Sequence, residues 1–304
     1  MILVTIGEVS KSPGTSPTQL IGLKLAGILL NKGQKVRILG KNLNHSIFPP
    51  DIEFVEGSIT KPMETPEALK GIDRIFLAGA VPRAIDDFLD IAKKEKVTRI
   101  VVLSSHGPEH EINYPPETWF WLAIERAVEN SGIEWSHIRP SAVMGSMFEG
   151  SYPPTGSLWH EMIKRGDTIK EPFVQSAYPF IDEDDLAEVA SVALLENGYT
   201  EMIIEAGGKN ISAKERIDEI CKVLNKEVRL EEITTDQAYQ VWKNHGWPDE
   251  TIEVVFYGLQ EYGDKPEKYK QWTKDNADPF IQSMLGRSAT SFHDWVAKNS
   301  NKFN

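Results

Sequence analysis

The chain opens on an unbroken apolar run, Met1-Ile-Leu-Val-Thr-Ile-Gly7, the pattern of a strand buried on both faces. Over residues 19–32 the apolar positions change to helical spacing (Leu20, Ile21, Leu25, Ile28, Leu29). Gly33 ends that helix, and Lys35-Val-Arg-Ile-Leu39 is strand-like again. Strand runs follow at 52–55, 74–77, 99–103 and 135–139, separated by helical patterns such as 84–94 and 118–130. Such alternation predicts an α/β fold with a doubly wound parallel sheet. After Ser141 the pattern loosens, with Gly145, Gly150, Pro153, Pro154 and Gly156 marking a loop. Helices are expected near 158–164 and at 183–195 and 213–224, strands near 177–181 and at 202–205 and 228–230, and a helical, aromatic tail from Thr235. The chain thus divides into a sheet domain over 1–150, with elements returning from about 177–206, and a smaller, mostly helical lobe over 151–304.

Between the first strand and the first helix lies a long, hydroxyl-rich turn, Glu8-Val-Ser-Lys-Ser-Pro-Gly-Thr-Ser-Pro-Thr18. Strand, turn, helix and strand make a βαβ unit of the dinucleotide-binding kind, although its glycines are sparse for the usual fingerprint. Those glycines have three jobs: a tight turn, close approach of a pyrophosphate, and close packing of helix on strand. Gly7, Gly14 and Gly22 are the candidates to share them. Ser16-Pro17-Thr18-Gln19 reads as an N-cap, a proline at the first helical position and a capping-box glutamine, so the helix should start near Pro17 with free N–H groups facing the turn. Free N–H groups there form an anion site, to which Ser10, Ser12, Thr15 and Ser16 would add hydroxyl donors. A solvated loop that only caps the helix fits the same spacing equally well.

Composition narrows the partners. A formal net charge of −12 with 26% charged residues argues against binding a nucleic-acid backbone. The single cysteine, Cys221, falls in the apolar stripe of Ile217, Ile220 and Leu224 and excludes an intrachain disulfide. Apolar stretches fall far short of a membrane span, and with a strand at the N-terminus and no signal peptide ahead of it a cytoplasmic location is expected. The expected partners are a small-molecule substrate and, in a possible homodimer, a second copy.

Several segments carry a family resemblance in order and spacing: Gly22 to Gly33 with Val36-Arg-Ile-Leu39, Phe54-Val-Glu-Gly-Ser58, Leu69 to Leu77, Val97 to Ser105, Ser131-Gly-Ile-Glu-Trp135 with Ile138-Arg-Pro140, Pro179-Phe-Ile-Asp182 with Asp185 to Val189, and Ser291-Phe-His-Asp-Trp295. Over nearly its whole length the chain resembles the NmrA-like branch of the atypical short-chain dehydrogenase/reductases. The resemblance implies a Rossmann domain for NAD(P), a small C-terminal lobe over the nicotinamide end, and a membership of reductases and of proteins that only sense the cofactor. Lys41 stands where many members carry an arginine after the second strand. With no acid there to hold a ribose diol, a cation favours the 2′-phosphate, so NADP(H) is the expected cofactor. Ser58 replaces the aspartate that usually faces adenine, while Gly79, Ala80, Ser104 and Ser105 sit at carboxyl strand ends, where such a sheet binds its ligand.

The family's catalytic position departs most. Related reductases set a tyrosine and a lysine four residues apart on the helix after the fifth strand, whereas this chain reads Glu117-Thr-Trp-Phe-Trp-Leu-Ala-Ile-Glu125, with Trp121 in the lysine's place. Three adjacent aromatics cannot all point inward on one helix, so at least one should line a cleft or face solvent. Proton donors must then come from elsewhere: His106 beside the strand end, Tyr114 and Tyr178 as phenols expected in loops near the same edge, and His160 next to Trp159. Trp121 and Trp159 are candidate walls of a substrate pocket, in an aromatic series that continues to Trp242. The acids Asp182 to Asp185 open a helix, where dipole compensation explains them better than a metal site does, and none is assigned. The reading is an NADP(H)-dependent reductase of a small apolar or aromatic carbonyl, imine or activated alkene. The alternatives are a cofactor-sensing regulator and a cyclase or isomerase that has lost its cofactor.

Overall fold

The computed structural model describes residues 1–7, 17–106, 108–148 and 154–304. Its strands are β1 (Ile2–Thr5), β2 (Val36–Gly40), β3 (Glu53–Glu56), β4 (Arg74–Leu77), β5 (Arg99–Leu103), β6 (Glu134–Pro140), β7 (Ala142–Val143), β8 (Ile169–Glu171), β9 (Ala177–Ile181), β10 (Met202–Ala206), β11 (Asn210–Ser212) and β12 (Leu230–Glu232). The helices are α1 (Pro17–Asn31), α2 (Pro82–Lys94), α3 (Trp121–Glu129), α4 (Trp159–Arg165), α5 (Glu183–Leu195), α6 (Ala213–Leu224), α7 (Thr235–Asn244), α8 (Asp249–Asp264), α9 (Pro266–Trp272), α10 (Asp278–Leu285) and α11 (Phe292–Lys298).

Seven strands form one parallel sheet in the order β10-β6-β5-β4-β1-β2-β3. Strand order reverses between β1 and β4, and the crevice beyond the carboxyl ends at such a switch point is where ligands bind in this architecture. The inner strands β1, β2, β4 and β5 are apolar runs whose side chains are almost wholly buried, as parallel strands covered on both faces must be. The edge strand β3 begins and ends on exposed glutamates, which discourage pairing with another chain. α2 buries Ala84, Ile85, Phe88, Leu89, Ile91 and Ala92 against the sheet, and complete burial of Phe88 alone is worth about 1.5–3 kcal/mol.

By its contacts the chain forms two compact units. Thr18–Pro140 and Leu186–Ala206 join β1 in the first, and Ser141–Asp185 with Gly207–Asn304 make the second. The chain therefore leaves the first unit at Pro140 rather than near 150 and returns at Leu186. β9, expected among the returning elements, lies instead in a small sheet of the second unit between β7 and β11. The second unit is no smaller than the first. Its core is aromatic: Trp159, Trp247, Trp295, Phe180 and Phe303 are all at most 1% exposed. The short strands β7, β8 and β11 have too few residues to show a period of two, which is why the hydropathy pattern does not reveal them.

Local chemistry sets several element ends. α6 opens on a reciprocal capping box of Ser212 and Glu215, and α7 on one of Thr234 and Gln237. α3 starts at Trp121, three residues later than its periodicity suggests. Pro116–Thr118 form a separate turn, and the Glu111 carboxylate accepts the N–H groups of Phe120, Trp121 and Leu122 at 2.9, 3.2 and 3.0 Å. At the far end of α5, Arg74 and Arg99 donate to the carbonyls of Leu194 and Glu196 at 2.6 and 2.7 Å, cations at the negative end of a helix.

The acids that open α5 do more than offset its dipole. Asp182 accepts the N–H of Asp184, Glu183 accepts from the Gly145 N–H and the Trp295 indole, and Asp185 holds the backbone and hydroxyl of Thr290 together with Arg287. They fasten remote segments of the second unit. Burial pushes the carboxyls of Asp182 and Glu183 above their ordinary range.

Candidate functional site

The carboxyl edge of the first unit's sheet is shaped by a pair of glycines. A Cβ added to Gly7 would lie 2.5 Å from the Gly79 Cα, and one on Gly79 would lie 2.2 Å from the Gly7 Cα, distances no side chain tolerates. Gly79 also has φ +76°, the left-handed conformation that favours glycine. The Thr5 hydroxyl locks the approach, donating to the Ala78 carbonyl at 2.8 Å and accepting its N–H at 2.7 Å. Gly22 performs the helix–strand packing expected of it, since a Cβ there would meet Ile6 Cγ1 at 3.0 Å. The ends of β1 and β4 thus meet backbone to backbone at the switch point, the edge on which a dinucleotide binds in this architecture. Ser12, Gly14, Thr15 and Ser16 lie outside the described residues.

Around this edge the other cofactor candidates divide. Lys41 is exposed directly after β2. Glu56 of the neighbouring strand reaches the same turn and accepts the Asn42 N–H at 2.8 Å, so the position is not free of acid as the sequence alone implies. The Ser58 hydroxyl is turned onto Thr60 at 2.9 Å, and Ala80 is buried in the first core. Ser105 is half-buried, but the hydroxyl of Ser104 donates inward to Glu125 at 2.6 Å and does not face a ligand.

Ser104 belongs to a polar seam that the sequence reading missed. Glu125 on α3 clamps Arg139 on β6 through two bonds, Nε to Oε1 at 3.0 Å and Nη2 to Oε2 at 2.7 Å. Arg139 Nη1 lies 3.5 Å from Glu205 Oε1, its direct partner across the β6–β10 ladder. Glu205 Oε2 in turn lies 3.4 Å from Nδ1 of His106, whose side chain is 25% exposed. The series runs from a carboxylate 1% exposed to a half-exposed imidazole at the sheet's carboxyl edge. The one legible signal was charge inside a central strand, Glu-Trp-Ser-His-Ile-Arg, opposite Glu125 and Glu129 one helical turn apart. On the same face His137 is fully buried, stacked on Trp135 at 4.4 Å, with Nε2 3.3 Å from Glu129. Glu125, Glu129 and His137 fall within metal-ligand spacing of one another. Both oxygens of Glu125 are already held by Arg139 and Ser104, and the adjacent guanidinium opposes a cation there.

The remaining candidates lie elsewhere. Tyr178 is not in an edge loop: it sits in β9, 8% exposed, with its ring 4.7 Å from Phe180, and burial raises its phenol pKa. Trp159 is likewise core, not pocket wall, 1% exposed with its indole N–H donating to the buried Glu171 at 2.7 Å. Trp242 joins the same core. His160 is half-buried at the head of α4, edge-on to Phe148, and burial lowers its pKa. Tyr114 is 65% exposed on the loop before α3, where its carbonyl accepts the Trp119 indole N–H. Of the three adjacent aromatics, Phe120 faces solvent at 41% exposure, and Trp121 packs on the first core.

The strand order, with its switch point between β1 and β4, and the glycine pair beside it are those of a dinucleotide-binding α/β fold. A family model described as NAD(P)H-binding matches residues 20–165. That match is similar in kind to the resemblance the NmrA-like motifs carry. The chain is 25% identical over 95% of its length to a (4-alkanoyl-5-oxo-2,5-dihydrofuran-3-yl)methyl phosphate reductase of Streptomyces griseus, covering 98% of that protein. It is 27% identical over 88% of its length to prestalk A differentiation protein A of Dictyostelium discoideum, covering 84% of that protein. Its fold is that of the Citrobacter sp. triphenylmethane reductase complexed with NADP(H), at a TM-score of 0.74 and 14% identity over 99% of this chain and 100% of that one. No helix among the described residues is long and apolar enough to cross a membrane.

Proposed function

We propose that the protein is an NADP(H)-dependent reductase of a small apolar or aromatic carbonyl, imine or activated alkene, in which His106 donates the proton. The observation that carries this reading is the placement of His106: half-exposed at the end of β5 and held by Glu205, on the edge where the fold receives its ligand. When bound, the reduced nicotinamide supplies the hydride. The protein's own residues position it: the close approach of Gly7 to Gly79 shapes the strand ends beside which the pyrophosphate would lie, and Lys41 offers a cation to the 2′-phosphate. Neither Trp121 nor the exposed Tyr114 can form the usual dyad, because an indole carries no charge with which to lower a phenol's pKa.

Calorimetric titration with NADPH and NADH, followed by turnover with a simple quinone as acceptor, tests the reading. NADPH should bind more tightly. Lys41→Ala should erase about tenfold of that preference, the worth of a charge-assisted hydrogen bond of roughly 1.5 kcal/mol. His106→Ala should lower kcat by about 10² to 10⁴ with dinucleotide affinity kept. Full turnover in that variant would clear His106 of the role. The second reading, a dinucleotide sensor without chemistry, is favoured by the missing dyad, and it requires tight NADPH binding with no turnover of any acceptor.

A further inference from the structure

We propose that the second unit holds an internal water site, in which ordered water bridges the guanidinium of Arg216 to the carboxyl group of Glu171. Arg216 on α6 is fully buried, and its charge lies over two aromatic faces, 4.5 Å from the centre of the Trp159 ring and 4.6 Å from that of Phe180. Those faces leave the N–H donors to find acceptors at the edge of the guanidinium plane. They find few. Nη1 reaches the weak acceptor Met147 Sδ at 3.9 Å, Nη2 reaches Thr155 Oγ1 at 3.4 Å, and Nε has no hydrogen-bond partner among the described residues. A well-made N–H···O bond is about 2.9–3.0 Å long, so the guanidinium is not tightly gripped by the side chains around it.

Other orphaned groups surround it. Glu171 at the end of β8 spends Oε1 on the Gly156 N–H at 3.0 Å and the Trp159 indole at 2.7 Å, while its Oε2 has no hydrogen-bond partner among the described residues. The hydroxyls of Tyr178 and Ser157, both in side chains hidden from solvent, are likewise unbonded there. Glu171, Tyr178, Thr155 and Arg216 are near enough to act on one another: burial raises the Glu171 carboxyl and the Tyr178 phenol above their ordinary ranges, and Arg216 and the Thr155 hydroxyl draw both back.

The chemistry of the set selects water. Nε–H can only donate, Oε2 of a carboxylate can only accept, and the hydroxyls do both. An anion that satisfied Arg216 would be repelled by Glu171, and a metal ion on Glu171 would be repelled by Arg216, whereas a neutral molecule that both donates and accepts serves the two together. Were the carboxyl protonated, its O–H would donate to the same water oxygen. An internal water needs roughly two to four polar partners, which Arg216, Glu171 and the neighbouring hydroxyls supply. The bridge also fastens the segment from Thr155 to Trp159, whose Gly156 touches both groups: its N–H is bonded to Glu171, and a Cβ there would lie 2.6 Å from Arg216 Nη1.

High-resolution diffraction from crystals of the full chain soaked in sodium bromide tests the site. A peak should stand within hydrogen-bond distance of both Arg216 Nε and Glu171 Oε2, with no anomalous bromide signal. A direct contact between Nε and Oε2, a bromide ion in place of the water, or no density between the two groups overturns the proposal. Oxygen-17 relaxation dispersion of the dissolved protein counts long-lived internal waters, and Arg216→Met should lower that count by at least one. A melting curve shows whether this variant folds. If it does not, Tyr178→Phe, which removes a single hydroxyl, should shorten the residence of the water about tenfold, the worth of one hydrogen bond. An unchanged count in a folded Arg216→Met protein, or an unchanged residence in Tyr178→Phe, overturns the proposal as well.

Discussion

At the scale of single residues, burial and partner decide what a side chain does more than its identity does. His106 and His137 sit on neighbouring strands' termini and interiors, yet one is 25% exposed against a carboxylate and the other is sealed. Burial drives the His137 imidazole below its ordinary range, against the pull of Glu125 and Glu129 toward the charged form. The unfolded ring therefore takes up a proton at higher pH than the folded ring does. The stability contributed by His137 is thus full above about pH 6.5 and declines as pH falls through that value toward the depressed folded pKa. His137→Gln should flatten this decline: the drop in urea midpoint between about pH 7.5 and 5.5 should be smaller than in the unmutated protein. An equal drop would mean that His137 does not govern acid sensitivity.

At the scale of elements, the seam between α3 and β6 is the unusual joint of the first unit. Most helix–sheet contacts there are apolar, but here Glu125 on the helix meets Arg139 on the strand with both nearly excluded from water. Removing one partner of such a pair strands the other. Glu125→Ala should cost about 3–5 kcal/mol in chemical denaturation, whereas Glu125→Leu combined with Arg139→Met should cost less, because neither charge of that pair is left buried without the other. Equal losses in the two variants would show that the charges contribute little beyond their packing.

At the scale of the whole molecule, the first unit is discontinuous. β10 pairs through Met202–Ala206 with Ser136 to Pro140, and Arg74 and Arg99 hold the carbonyl end of α5, so the chain over Leu186–Ala206 belongs to the unit that precedes the excursion. A fragment of residues 1–140 would expose the open edge of β6 and leave two arginines without their carbonyls. It should be aggregation-prone. The same fragment joined by a flexible linker to residues 186–206 should be soluble and melt cooperatively, and equal behaviour of the two fragments would argue that β10 is dispensable.

Much of this was legible along the chain because hydropathy period is a local property. β4, β5, β9, α5 and α6 fall where the pattern places them, and the roles of Gly7 and Gly22 follow from their places in a βαβ unit. Local pattern does not say which elements meet. β9 reads as a strand in any context, but only its ladder with β7 and β11 puts it in the second unit. Trp159 reads as a pocket wall and Tyr178 as a phenol at the edge until the aromatic core of the second unit and Arg216 of α6 enclose them, since an aromatic ring serves core and cleft alike and its cover decides which. The meeting of His106 with Glu205 has no sequence signal at all, because strand pairing, not spacing, brings together two side chains 99 positions apart.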